Sequence, residues 1–416
     1  MSRWKKVKIG DVCKIVKGMT GIASAKPGEY PLVVTAVERK TCSDYQFDCE
    51  AVCIPLVSSS GHGKKSLNNV HYQSGKFALG TILCAVIPND PKELDARYLH
   101  QYLQFYKDTV LVPLMKGAAN VSLSMKDIAT VEIPLPPIER QRELSAMFIS
   151  LQEKSRQLRV ESEKQIEYAK QLRASILQDA IEGKLTADWR EKHPVKKGNP
   201  DYDAEVLIEK ILLEKQEKSK KQKPLPAITE DEKPFAIPTG WKWVRLGDIC
   251  EKTCVGGDKP SVFSKERDEK NKIPVIANGE LNDGVFGYTD KATINYKALT
   301  ISGRGTIGYT SIRDYPFTPI VRLIVLAFAN ELNLFYLKYF LPFFLAKSNG
   351  SATQQLTIPM IVANVLPLPS LAEQNEIVAR VEKHLETITQ LETQIASRET
   401  LTKQLMQGLL KDAFEN

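Results

Sequence analysis

The chain repeats itself. Residues 117–181 align with residues 350–414 at a constant offset of 233 and without a gap. Within that match Ile133-Pro134-Leu135-Pro136 answers Leu366-Pro367-Leu368-Pro369, and Gln141 and Glu143 answer Gln374 and Glu376. Near each start, the run Trp4 to Cys13 (WKKVKIGDVC) answers Trp241 to Cys250 (WKWVRLGDIC). A third echo is Ser60-Gly61-His62-Gly63 against Ser302-Gly303-Arg304-Gly305. Between these anchors the halves diverge. A repeated frame around different interiors lets one chain read two different targets with the same architecture.

With 416 residues there is room for two or three domains, each with its own core. Net charge divides unevenly. Residues 1–137 carry +5 and residues 236–370 carry +4, whereas the repeated C-terminal segments and the stretch between the halves sum to −2. Positive charge concentrated in the divergent interiors is the footprint of two nucleic-acid-binding domains joined by helices that touch protein; charges this modest also arise by chance. Seven cysteines in no secretory pattern, and no apolar stretch behind Met1, make the cytoplasm the expected compartment. The most apolar segment, 320–346, is broken by Arg322, Glu331, Lys338 and Pro342 and so is expected to be buried rather than membrane-spanning.

Each half reads as a mixed α/β globule followed by a long helix. Short β-type runs such as Tyr30–Thr35, Gly80–Ile87 and Ile273–Ala277 alternate with Gly, Asn and Pro. One aromatic-rich helix is expected per globule, around Tyr98–Leu103 and Tyr336–Leu341, with core packing as its ordinary role. The long helices start after the Pro pairs. Apolar residues recur at alternating steps of four and three, giving a seam through Leu144, Leu151, Leu158 and Leu172 and another through Ile377, Ile388, Leu391 and Leu405. A stripe of about 44 residues spans roughly 66 Å, too long for one small core, so the two helices are expected to pair. Chain order makes that pair antiparallel. The expected fold is thus α+β, with two α/β domains (1–137 and 237–370), spacer helices at 138–183 and 371–416, and a charged linker at 184–236 with a helical stretch (204–223) that partly folds on a partner or on the helices, in a pseudo-two-fold arrangement. Gln165 and Arg398, at equivalent positions of the seam, are candidates for fixing its register.

Catalytic signatures fail in turn. The run Gly61 to Ser66 lacks the first glycine of a phosphate-binding loop, and Lys65 stands where Ser or Thr should be. Cys49/Cys53 and Cys250/Cys254 have no histidine beside them, so no metal site is expected. No amino-methyltransferase Asn/Asp-Pro-Pro-aromatic motif, nucleophile elbow or zinc-protease helix is present. The Ser-Gly-x-Gly turns are the sharpest local signal, because glycines let backbone amides approach a phosphate and flanking cations add charge or base contacts. The candidate DNA contacts are Lys17, Ser60, His62, Lys64 and Lys65 in the first half and Ser302, Arg304 and Thr306 in the second, with Arg304 suited to bidentate pairing with guanine. An ordinary tight turn would need the same glycines.

The order and duplication of these motifs resemble the specificity subunit of type I restriction-modification enzymes. The residues that carry the likeness are the Trp-x-x-Val-x-Ile/Leu-Gly-Asp starts at Trp4 and Trp241, Ser302–Gly308, the Pro-Leu-Pro-x4-Gln pattern at 134–141 and 367–374, and Gly183–Arg190. The resemblance implies two target-recognition domains, each reading half of a bipartite, gapped site in double-stranded DNA. It also implies helices that dock two methyltransferase (M) subunits and, through them, restriction/motor (R) subunits. S-adenosylmethionine, ATP and magnesium would belong to those partners, and this chain would be non-catalytic. Alternatives are a coiled-coil adaptor between proteins and the specificity subunit of a fused restriction-methylation system. The first half departs from the pattern, with Ser-Gly-His-Gly-Lys-Lys where the second has Ser-Gly-Arg-Gly-Thr-Ile-Gly.

Overall fold

The computed structural model describes residues 4–60, 63–218, 225–347 and 355–415. They form two compact units, one of Met1–Lys164 with Ile395–Asn416 and the other of Gln165–Gln394. Two helices, Ile138–Ile181 and Leu371–Glu415, each contribute one part to each unit. Among the described residues no helix is long and apolar enough to cross a membrane.

The first unit has ten strands: β1 (Lys6–Lys8), β2 (Cys13–Lys17), β3 (Tyr30–Val33), β4 (Lys40–Cys42), β5 (Phe47–Asp48), β6 (Ala51–Pro55), β7 (His71–Gln73), β8 (Lys76–Leu79), β9 (Leu83–Pro88) and β10 (Glu132–Pro134). They make a sheet ordered β2-β9-β6-β7, a second ordered β4-β3-β8-β5, and a β1-β10 pair. In the second unit β11 (Lys242–Arg245), β12 (Cys250–Val255), β13 (Ile273–Ile276), β14 (Val285–Thr289), β15 (Ala298–Ile301), β16 (Thr310–Arg313), β17 (Thr318–Pro319), β18 (Ile324–Phe328) and β19 (Val365–Leu368) follow. Their orders are β12-β18-β15-β16, β14-β13-β17 and β11-β19. Strand for strand this is the topology of the first unit without β5. The duplication therefore extends through the interiors where the sequence shows no match. The central strands β6, β9 and β18 read as near-continuous apolar runs because both of their faces are covered, and β15 adds one buried Thr300 that donates to Ser311 O at 3.2 Å.

The Pro-Leu-Pro-x4-Gln motif fastens each domain to its helix. Gln141, fully buried, donates from Nε2 to the carbonyls of Pro136 and Glu93 (both 2.8 Å) and accepts the Asp95 amide at 2.9 Å. Gln374 repeats this, donating to Pro369 O at 3.0 Å and accepting the Asn333 amide at 3.1 Å. The glutamine thus ties the entry of the long helix to the start of the aromatic helix, Ala96–Val110 or Leu334–Lys347. A tyrosine on each aromatic helix completes the tie, Tyr98 donating to Pro134 O at 2.9 Å and Tyr336 to Pro367 O at 2.7 Å. The other long helix closes each core: Phe414 sits among Tyr98, Tyr102, Phe105 and Tyr106, and its repeat equivalent Ile181 lies in the core that holds Tyr336.

Within each unit the two long helices run antiparallel. Leu144 and Phe148 share a core with Leu410 and Phe414, and Arg398 donates to Ser162 at 3.0 Å. In the second unit Ile176 and Ala180 pack with Ile377 and Val381, and Arg173 bridges Glu392 at 3.0 Å. The expected seam holds at Leu144, Leu151, Ile377 and Ile388, which are buried or half-buried. Leu158, Leu172, Leu391 and Leu405 are exposed, Leu158 lying along the groove that Arg398 and Thr402 of the other helix line. Covered positions along the second helix include 377, 381, 385, 388, 392, 395, 398, 402, 406 and 410, which over the whole run are spaced by more than 3.5 residues. The stripe drifts from a strict 3.5 period, and Arg173 and Glu392 pair across the contact.

The segment expected as a linker is built into the second unit. Glu373, 3% exposed, accepts from Thr186 and from the Trp241 indole (2.8 Å each) and pairs with Arg190. This network accounts for both the Gly183–Arg190 run and the tryptophan that opens the half. Leu207 and Ile211 of the helix Ala204–Lys218 enter the same core. Replacing Gln374 by Leu keeps the volume but leaves the Asn333 amide and the Pro369 carbonyl unpaired. Chemical denaturation of that variant is expected to show a loss of about 2–4 kcal/mol.

Candidate nucleic-acid interface

In the second unit the strands β15 and β16 are joined by a turn, 302–309, whose shape is set by glycine. Gly305 and Gly308 have φ of +69° and +86°, in the left-handed region. Ser302 is buried; its amide donates to Tyr309 O at 2.9 Å and its Oγ accepts the Gly279 amide at 3.1 Å. Gly303 donates to Asn278 Oδ1 at 2.8 Å and accepts the Leu356 amide at 2.9 Å. Two neighbouring segments therefore hold the base of the turn, and its tip is left outward. There Arg304 and Thr306 are exposed, and the guanidinium is aimed by Gln355 Oε1, which accepts from Nε (3.1 Å) and from the second terminal nitrogen (2.6 Å).

The corresponding connection in the first unit, between β6 and β7, is longer. It is tied by serines: Ser58 Oγ donates to Lys64 O at 2.5 Å and accepts the Ser66 amide at 3.2 Å, and the Ser60 and Ser66 hydroxyls lie 2.7 Å apart. Gly63 has φ +75°, and a Cβ there would stand 2.3 Å from Ala118 O, so the loop rests on the 117–120 segment. Lys64 and Lys65 are exposed; His62 lies outside the described residues. Lys17 is exposed at the end of β2 and its carbonyl accepts from Gln46 at 2.8 Å.

The apparent equivalence of Ser60 and Ser302 does not hold in three dimensions. Leu123 donates to Leu56 O at 2.9 Å where Leu356 donates to Gly303 O, which makes Leu56 the partner of Gly303 and Pro55 that of Ser302. Ser60 is an exposed loop residue and Ser302 a buried strand end. A short sequence echo between loops of different length misled the alignment. The match 233 residues apart does hold, since Ser122 and Gln355 occupy equivalent places beside the two turns.

The sequence gives no sign of the residues that stiffen the neighbouring loops. Arg313, fully buried on β16, pairs with Asp283 and donates to its carbonyl at 2.7 Å, while Tyr309 donates to the same carboxylate at 2.9 Å. In the first unit Arg39 donates to Gln73 (3.1 Å), to Tyr72 O (3.3 Å) and to His71 Nδ1 (3.3 Å). These contacts join distant stretches of chain, and no local spacing announces them. Five of the seven cysteines are buried: burial pushes the thiols of Cys13, Cys84 and Cys250 up to about 12, and the Cys250 thiol lies 3.3 Å from both Lys252 O and Ala327 O. Among the described residues no group of three or more His, Cys, Asp or Glu is placed to hold a metal ion.

The family model for the type I restriction modification DNA specificity domain matches residues 1–168 and again 238–398, the two halves of the repeat. The chain belongs to this family. A protein of Mycoplasma pneumoniae named as a type I specificity subunit is 27% identical over 384 residues, covering 90% of this chain and 87% of that protein. The EcoAI type I specificity subunit of Escherichia coli is 30% identical over 271 residues, 58% of this chain and 44% of that one. In fold, the chain resembles the HsdS subunit of Thermoanaerobacter tengcongensis (TM-score 0.57, 20% identity, 99% and 97% of the two chains covered). It also resembles a solved chain from a study of type I complex assembly and conformational transition (TM-score 0.65, 20% identity, 99% and 98% covered). The chain is a DNA-recognition subunit of a type I restriction-modification system, and catalysis lies in partner subunits.

Burial and the nearby Arg39 lower the His71 pKa to about 4, and the Arg39 contact needs a neutral imidazole with a free lone pair on Nδ1. A depressed histidine pKa means that the unfolded chain takes up the proton first. Stability from this group is complete above about pH 6.5 and is lost towards pH 4, by up to ~3 kcal/mol. His100, also lowered by burial, acts in the same direction. Denaturation midpoints from pH 4 to 7 are expected to rise with pH, and His71→Gln to flatten the profile.

Proposed function

We propose that each domain reads one half of a bipartite site in double-stranded DNA, the first with Lys17 at the end of β2 and with Ser60, His62, Lys64 and Lys65 of its β6–β7 connection, the second with Arg304 and Thr306 of its turn. Ser302, being buried, positions the second turn rather than touching DNA. The observation that carries this reading is the pairing of one topology with two unlike turns. The frame is copied strand for strand, while the outward cations differ, being two exposed lysines in one unit and one glutamine-aimed arginine in the other. Base specificity requires a planar, oriented donor, which Arg304 supplies; paired lysines act as phosphate-directed charge.

The long helices are the docking surface for two methyltransferase subunits, one per unit. Leu158, Leu401 and Leu405 are exposed in the first unit, and their repeat equivalents Leu391, Tyr168 and Leu172 are exposed in the second. An equivalent trio presented twice, with Tyr168 where the first unit has Leu401, suits two copies of one partner, with restriction/motor subunits held through them. S-adenosylmethionine, ATP and magnesium belong to those partners, and the cytoplasm is where such a complex would meet its DNA.

Single-molecule reading of modified bases in the host genome, with and without the gene, tests the function. Loss of methylation at one gapped, two-part motif is expected; an unchanged pattern in a host whose partner genes are expressed contradicts the reading. In the reconstituted complex, Lys64→Ala with Lys65→Ala should lower the salt slope of binding by about 2 and weaken all sequences alike. Arg304→Ala should instead relax one position of one half-site, at a cost of about 1–3 kcal/mol.

A further inference from the structure

Beside each turn lies a loop that presents an aliphatic side chain to solvent. It joins β3 to β4 in the first unit and β13 to β14 in the second. At its tip Val37 is 71% exposed and Leu281 is 92% exposed, the latter more than any other large apolar side chain among the described residues. Single exposed apolar residues are ordinary on flexible loops; these loops are not flexible in construction. Asn282 and Asp283 sit in the left-handed region at φ 51° and 50°, which Asn and Asp adopt more readily than other non-glycine residues. Each loop is held by an arginine clamp onto the last strand of the four-stranded sheet. In the second unit the strand supplies Arg313 and the loop supplies Asp283. In the first the loop supplies Arg39, which reaches Gln73, His71 and Tyr72 on β7 and also caps Val37 O at 3.0 Å.

The two clamps use opposite polarities, so nothing at the level of sequence was copied. What recurs is a fixed loop with an aliphatic tip. Its place is beside the turn that carries Arg304, since Asn278 and Gly279 hold the turn's base and Tyr309 holds Asp283. A rigid apolar group next to an oriented guanidinium is the pair of contacts that reads an adjacent guanine and thymine. Thymine is the one base with an apolar group, its 5-methyl, in the major groove.

We propose that Leu281 and Val37 each read a thymine through its 5-methyl group, within the half-site of their own domain. This rests on the reading of the two domains as DNA-recognition modules. Wedging between base steps would suit a long side chain, whereas a valine is too short to pry a step apart and serves well as a methyl contact.

The test uses the chain in complex with its methyltransferase partner and duplexes bearing the recognised motif, each thymine replaced in turn by 2′-deoxyuridine. That replacement removes only the methyl. One replacement in the half-site of the second domain is expected to weaken binding about fourfold, the factor expected for one buried methyl group. Leu281→Ala should bind more weakly by a similar factor and lose its response to that replacement while keeping its response elsewhere. Val37→Ala should do the same in the other half-site. Both side chains are exposed, so unchanged thermal midpoints are expected to show that the fold survives. The proposal is overturned if the wild type ignores every replacement, if the variants respond as the wild type does, or if a half-site contains no thymine. A complex that cannot tell the motif from a scrambled duplex would instead overturn the DNA reading itself.

Discussion

A buried glutamine at the root of each long helix is the contact on which the architecture depends. Gln141 and Gln374 each use both ends of the amide, joining the proline turn that starts a long helix to the loop that starts an aromatic helix. A two-residue apolar contact in the same place would pack as well but would leave backbone donors and acceptors stranded in a dry site. The amide therefore sets the angle between domain and helix as well as adding stability. With that joint copied, the rest of a domain is free to vary as long as its sheets close over the same core.

That freedom shows in the strands. The interiors share no recognisable sequence, yet apart from β5 the strand order is the same, because each central strand needs only to be buried on both faces and several different sequences meet that need. Charge and loop chemistry are then available for other uses. The first unit ties its turn with serines and leaves lysines outward; the second uses glycines and asparagine and leaves an arginine outward. One frame thus holds two unlike surfaces, which is what a recognition subunit with two half-sites requires.

The sequence disclosed the repeat, the α+β class, the two long antiparallel helices and the family, because each rests on local pattern or on motifs in fixed order. A strict heptad does not locate every contact of the helix pair, because covered positions of the second helix drift to 385, 392 and 406, one residue past the heptad. The sequence equated Ser60 with Ser302, an alignment that a loop-length difference breaks. The helical stretch expected within 184–236 falls at Ala204–Lys218, and Arg190 and Leu207 are bound into the second unit by Glu373 and by core contacts, which no local pattern announces. The Arg39 and Arg313 clamps were invisible throughout, since a charged residue looks exposed until its distant partner is known.

The claim that matters most is that each half of the repeat reads its own part of the DNA. Exchanging residues 237–370 for the matching segment of another family member, and sequencing the modified bases of the host, tests it directly. The account predicts a methylated motif in which one half changes and the other half is retained. A motif altered in both halves, or in neither while methylation continues, would contradict it.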